Sequence, residues 1–180
     1  MKAIKPPQCF ESTISDHNSI FLAGSIEMGK AVDWQHEFTQ AFTNNKGPTS
    51  TTTSTTTTTT ENNNLLILNP RREDWDSSWE QSKDHPEFRA QVEWELRAQE
   101  QADVIVLYFA PGTQSPITLL ELGLFARSGK LICCCPTGFW RKGNVDVVCE
   151  RYQVQVVEDL QELVIAAKAR LLRLGCGSEE

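Results

Sequence analysis

Residues 102–110, ADVIVLYFA, constrain the fold of this chain more than any other stretch. Nine residues are too few to cross a bilayer. Beyond Asp103 the run is unbroken and apolar, so it lacks the alternation of a strand with one wet face. That is the pattern of a central parallel strand covered on both sides. Such a strand needs a layer of helices on each face, and the chain supplies candidates. SIFLAG (19–24), LLILN (65–69), KLICCC (130–135) and VQVV (154–157) read as four further strands. KAVDWQHEFTQAFTNN (30–45) spaces Val32, Trp34, Phe38, Ala41 and Phe42 close to helical intervals. PEFRAQVEWELRAQEQ (86–101) opens with Pro86 in a first helical turn. A third helix runs from Pro116 to about Ser128, and EDLQELVIAAKARLLRLG (158–175) forms a fourth that Gly175 stops. Strands alternating with helices predict a three-layer α/β sandwich on a five-stranded parallel sheet.

The 180 residues suit one domain, read as 19–175 between an N-terminal extension (1–18) and a short tail (176–180). A formal net charge of -7, with no basic stripe to offset it, argues against nucleic acid or an acidic membrane as partner. MKAIKPPQCFESTISDHN has no signal-peptide apolar region, so a cytoplasmic chain is expected. The Thr-rich tract at 47–64 holds nothing to bury and reads as a disordered surface loop inserted into the domain. Cys133, Cys134 and Cys135 continue an apolar strand, and adjacent strand residues face opposite ways. They are expected to be small buried hydrophobes, reduced, with no CxxC pair to suggest zinc.

In open parallel sheets ligands sit beyond the carboxyl ends of the strands. The loops that begin at Gly24, Asn69 and Ala110 are therefore the candidate site. In AGSIEMGKAVDW, Gly24 and Gly29 permit close backbone approach and Ser25 offers a hydroxyl, although a tight turn alone would use the same residues. NPRREDWDSSW sets Arg71, Arg72, Trp75, Asp76 and Trp79 within eleven residues. Tryptophan offers a stacking face for a base and arginine a fork for a phosphate or carboxylate. An Arg–Asp network that rigidifies the loop is the other reading.

The third loop leads into SPITLLELGLFARSGK (115–130), where Glu121 stands among Leu119, Leu120, Leu122, Leu124 and Phe125. Ser115 before Pro116 fits an N-cap with proline at the first helical position. Glu121 is either a helix residue facing water or a carboxyl held in an apolar wall. In the second case it could attack an anomeric carbon or stabilise an oxocarbenium ion.

IFLAGSI, QADVIVLYFAPGTQSPITLLELG and the strand that follows together resemble the nucleoside 2-deoxyribosyltransferase-like family, related to the 2'-deoxynucleoside 5'-monophosphate N-glycosidases. The likeness spans nearly the whole chain apart from the Thr tract and the termini. It implies a flavodoxin-like fold with a five-stranded parallel sheet and a homodimer or higher homo-oligomer. It implies Glu121, in the ELG motif, as the nucleophile that attacks C1' and releases the base, after which a second base or water takes the sugar. Glu95, seven residues before Ala102, matches a position where the family usually carries aspartate, to assist base protonation or position the nucleophile; Glu93 is the fallback. Phe21, Gly24, Ser25 and Ile26 match the first-strand motif beside the sugar.

Ser115 stands where the transferases tend to have Asp and the monophosphate hydrolases Ser, and a serine at a helix N-terminus suits a phosphate. Arg71 and Arg72 could offset Glu27 there, and Trp75, Trp79 and Trp94 could line a base pocket. Trp140 and Arg141, in GFWRKGNVDVVCERY (138–152), are expected in a lid or an intersubunit contact. No metal or organic cofactor is implied, because this cleavage needs only carboxylates and a polarised base. The alternatives within this reading are a nucleoside 5'-monophosphate hydrolase, a glycohydrolase of NAD-like molecules, and a nucleotide-binding module without turnover.

Overall fold

The computed structural model describes residues 1–26, 31–43, 64–76 and 78–176. Glu27, Gly29 and nearly all of the Thr-rich tract fall outside them. The chain runs β1 (Lys2–Ile4), α1 (Glu11–Ile14), β2 (Asn18–Gly24), α2 (Trp34–Thr43), β3 (Leu65–Leu68), α3 (Pro86–Gln101), β4 (Val104–Tyr108), α4 (Pro116–Phe125), β5 (Leu131–Cys134), α5 (Lys142–Tyr152), β6 (Gln155–Val157) and α6 (Leu160–Cys176). All pairings are parallel, in the order β1-β3-β2-β4-β5-β6. This is the three-layer, flavodoxin-like arrangement anticipated from the pattern of apolar runs.

Period two on the strands divides the core between two faces. Phe21, Ala23, Ile105, Leu107, Phe109, Cys133 and Cys135 point to the layer that holds α3, α4 and α5. Ile20, Leu22, Val104, Val106, Ile132 and Cys134 point to α2 and α6, where Trp34, Phe38, Leu163 and Ala167 meet them. The three consecutive cysteines thus alternate across the sheet, buried and free.

The sheet has six strands where five were expected. The extra one is β1, whose Ile4 pairs with Leu68 and buries its side chain at the sheet edge. Three residues are too few to show a period, so the strand left no signal in the sequence. The sequence pattern assigns no element to the segment after β5, where 142–152 is helical. Val145 and Cys149 of α5 enter the core, which makes α5 a wall of the layer.

Gly24 ends β2 at φ +151, beside the neighbouring strand. A Cβ there would lie 2.6 Å from Tyr108 O and 2.7 Å from Trp34 Cζ2. Glycine therefore lets β2 stay paired up to the site edge while Trp34 closes over it. Trp34 Nε1 donates to Ser25 O at 3.2 Å and fixes the same turn from the other side.

Candidate active site

Helix α3 begins at Pro86, with His85 Nδ1 accepting from Phe88 N at 3.4 Å. One of its faces carries Trp94 and Ala98 into the core. The adjoining stripe is Gln91, Glu95 and Gln99, at four-residue spacing. Helix α4 packs nearby with Thr118, Glu121 and Leu122 turned inward. Glu121 is 8 % exposed, so its carboxyl stands in the apolar wall and not in water.

Its oxygen Oε1 accepts from Gln99 Nε2 at 2.9 Å. Glu95 Oε1 accepts from Gln91 Nε2 at 2.7 Å, and the same nitrogen reaches Pro70 O at 3.0 Å. Burial pushes the Glu121 carboxyl up to about 8; the field of Glu95 adds to the rise and the bond from Gln99 opposes it. Burial likewise pushes Glu95 up to about 7, against the bond from Gln91. Near neutral pH such a pair holds a proton that two exposed glutamates would have lost. One carboxyl can then act as acid while the other bears charge.

The carboxyl ends of β2 and β4 meet over a cluster of three buried hydroxyls. Ser25 Oγ bonds Thr113 Oγ1 at 3.0 Å and also bonds Ser115 Oγ, while Thr113 Oγ1 and Ser115 Oγ are 2.8 Å apart. Ala110 N donates to Ser25 Oγ at 2.9 Å, and Thr113 Oγ1 donates to Ala110 O at 2.7 Å. The cluster ties the first-strand turn to the loop that launches α4. Ser115 takes the left-handed conformation, φ 46 and ψ 52, and its side chain makes no capping bond to the helix. The expected N-cap is replaced because the left-handed turn directs the hydroxyl into this cluster. A cavity of about 440 Å³ opens beside it, lined by Ala31, Val32, Tyr108, Ala110, Pro111, Gly112 and Thr113. A second, of about 510 Å³, lies at the opposite end of the strands, around His17, Ser19 and Asp103 at the starts of β2 and β4.

The 70–85 loop starts at the site and then folds on itself. Gln91 holds Pro70 O, which sets the loop's first residues next to Glu95. Asn69 Oδ1 accepts from Arg71 N at 2.9 Å, and Arg71 reaches Val32 O and Gln35 Oε1, each at 3.4 Å. Arg72 forms a two-pronged pair with Asp74 at 2.8 and 2.7 Å and lies 5.1 Å over the Trp79 ring. Trp79 packs on Trp75 and His85, and Asp76 Oδ1 accepts from Ser78 N at 2.8 Å. Of the two readings for this loop, the internal Arg–Asp network is the one these contacts draw.

Among the expected site residues, the fold brings together Glu95 and Glu121, and separately Ser25 and Ser115. Gly24 and Ile26 flank Ser25 on the same turn. Phe21 is fully buried against Trp94, one layer below the site, and Trp94 Nε1 donates to Gln8 O at 2.8 Å. Trp140 Nε1 donates to Gln114 O at 3.1 Å, with Arg141 4.1 Å over its ring, so both brace the loop before α4. Gln91, Gln99 and Thr113 were not anticipated. The signal for the first two was a glutamine four residues either side of Glu95. Among the described residues no group of three His, Cys, Asp or Glu side chains is placed to hold a metal ion.

A family model described as nucleoside 2-deoxyribosyltransferase like matches residues 17–139, from the turn before β2 to the turn after β5. The match takes in Ser25, Glu95, Ser115 and Glu121 and most of the chain, which therefore belongs to that family. No curated protein matches it.

Proposed function

With that membership as premise, we propose that this protein cleaves or exchanges the N-glycosidic bond of a (deoxy)nucleoside or nucleotide through a covalent glycosyl-Glu121 intermediate. The observation that carries the reading is that Glu121 is buried in the apolar wall, takes a hydrogen bond from Gln99 and feels the charge of Glu95 on the facing helix. Glu121 holds its proton to higher pH than Glu95 in the free protein, so in this reading a proton passes from Glu121 to Glu95 before ionised Glu121 supplies the electron pair for a bond to C1'. The bond from C1' to the base nitrogen breaks with its electrons on the base, and Glu95, as the acid, gives that nitrogen its proton. Water or a second base then attacks C1' from the face the first base left and gives its proton to Glu95, while the C1'–Glu121 bond breaks with its electrons on the Glu121 oxygen. Hydrolysis and transfer differ only in that second acceptor.

Substrate would enter over the turn of Gly24, Ser25 and Ile26. Ser115 and Thr113 head the loop into α4, where a 5'-phosphate would meet the positive end of the helix dipole. In this reading Arg71, Arg72, Trp75, Asp76 and Trp79 form a rigid flank and give few direct contacts. The outer face of α4 supports a homodimer, since Ile117, Leu120 and Leu124 are 60 %, 57 % and 55 % exposed at helical spacing on the helix that bears Glu121. The described cysteines are free, which supports a reducing, cytoplasmic setting. No helix among the described residues is long and apolar enough to cross a membrane.

The test is base release, followed by HPLC, from a panel of nucleosides and their 5'-monophosphates. Each is run with and without a second free base, for wild type and Glu121→Ala. Release lost in the variant supports the nucleophile, and dependence on the second base assigns transfer over hydrolysis. No release from any of the panel, with a monophosphate still raising Tm, replaces the reading with a binding module.

A further inference from the structure

Gln91 and Gln99 are 5 % and 1 % exposed, and each commits its amide nitrogen to a glutamate. The oxygen of each carboxamide is buried without a hydrogen-bond partner. An amide left half-satisfied in the interior is costly, and an apolar side chain of the same volume would avoid that cost. Packing alone therefore does not account for two such glutamines, one bound to each buried carboxyl. They lie four residues before and after Glu95 on a single helix, and Gln99 crosses from α3 to α4 to reach its partner.

We infer that Gln99 and Gln91 are positioning residues, each clamping one carboxyl of the Glu121–Glu95 pair so that its charged form is held in place. An N–H donor favours the ionised carboxylate, which is the form that attacks carbon. Turned by half a rotation, the same carboxamide presents its oxygen and accepts from the protonated acid. For Gln99 the orphan oxygen is then the unused half of a clamp that fits both protonation states, whereas Gln91 is held in its donor orientation by Pro70 O as well as by Glu95. Among the described residues Glu95, on the facing helix, is the ionisable group whose charge acts on Glu121. The inference deepens the proposed function and rests on it for the chemical role, but its test requires no turnover.

The test is a titration of the full-length protein labelled with 13C at the glutamate side-chain carboxyl, followed by NMR. Glu121→Gln and Glu95→Gln assign the two signals. Gln99→Met keeps the volume and removes the donor, and it raises the Glu121 midpoint by about one pH unit, the scale of a bond to a charged group. Gln91→Met raises the Glu95 midpoint instead. Glu95 then stays neutral to higher pH, its repulsion is lost, and the Glu121 midpoint falls. Opposite movements of one signal are not what a general loosening of the fold would produce. A folded Gln99→Met protein whose Glu121 midpoint is unmoved or lower overturns the inference. If that variant does not fold, Gln99→Asn, which withdraws the donor by one methylene, is read by the same criterion. Base release that is absent throughout, with both midpoints shifted as stated, removes the proposed reaction and leaves the clamp intact.

Discussion

Glu121 on α4 takes its hydrogen bond from Gln99 on α3, 2.9 Å away across twenty-two residues of sequence. The bond joins two helices, and it ends on a carboxyl whose pKa the apolar wall raises. Glu95, one turn before Gln99, adds its own field to the same carboxyl. The site is thus a balance between desolvation, which holds protons on, and two amide donors, which let them go. Its testable consequences follow from which of these is altered.

Replacing Glu121 by Gln removes the attacking oxygen without changing the shape of the wall. Turnover of any substrate found for wild type should fall by at least about a thousandfold, of the order lost with nucleophilic residues elsewhere. Retained activity in rapid-quench assays would reassign the nucleophile.

The same substitution should stabilise the fold, and more so at high pH. The Glu121 carboxyl titrates from 4.5 when free to about 8 in place, so the folded state holds a proton that the unfolded state has lost. Unfolded chains bind fewer protons in that window, so stability is full below pH 4.5 and declines as pH rises through 8. The penalty above pH 8 is on the order of a few kcal/mol. Glu121→Gln should therefore raise Tm clearly at pH 8.5 and little at pH 5. Equal Tm gains at both values would mean that the carboxyl is solvated.

Activity should show its acidic limb near neutrality. With carboxyls at about 7 and about 8, the free enzyme gains its attacking charge only as pH passes through that range. The pH profile of kcat/KM tests this. A limb at 4 to 5 would describe an exposed glutamate. Glu95→Gln removes the like charge, so it should shift the limb to lower pH while lowering the rate of base departure.

Gly24→Ala should cost about 3 kcal/mol or more and lower Tm steeply, because the added methyl meets backbone and ring at once. A loss under 1 kcal/mol in urea unfolding would mean that the β2 end shifts freely.

Leu124→Glu with Ile117→Glu places charge on the exposed α4 face and leaves the inward residues untouched. If α4 forms the proposed seam, wild type runs as a dimer by light scattering and the variant as a monomer. An unchanged mass would put the interface elsewhere.

Much of this was legible in the sequence. Unbroken apolar runs fixed which strands are central, since a strand covered on both faces cannot carry charge on either. The alternation of Cys133, Cys134 and Cys135 between two faces followed from the geometry of one strand. Glu121 stood out because a carboxylate among leucines must be either solvated or held. In each case the information lay within a few residues, where period and polarity act directly.

The rest required elements distant in sequence to meet. Ser115 looked like a helix cap, but its hydroxyl is drawn into a cluster with Ser25, ninety residues away, by the left-handed turn before α4. Arg72 could have gripped a ligand or joined an Arg–Asp network, and the fold pairs it with Asp74 and sets it over Trp79. Residues 2–4 became a strand only because β3 offered an open edge. Above all, no local pattern states how dry Glu121 is or that Glu95 and Gln99 face it. Desolvation and charge coupling depend on what surrounds an atom in space, and the packing of α3 beside α4 decides both.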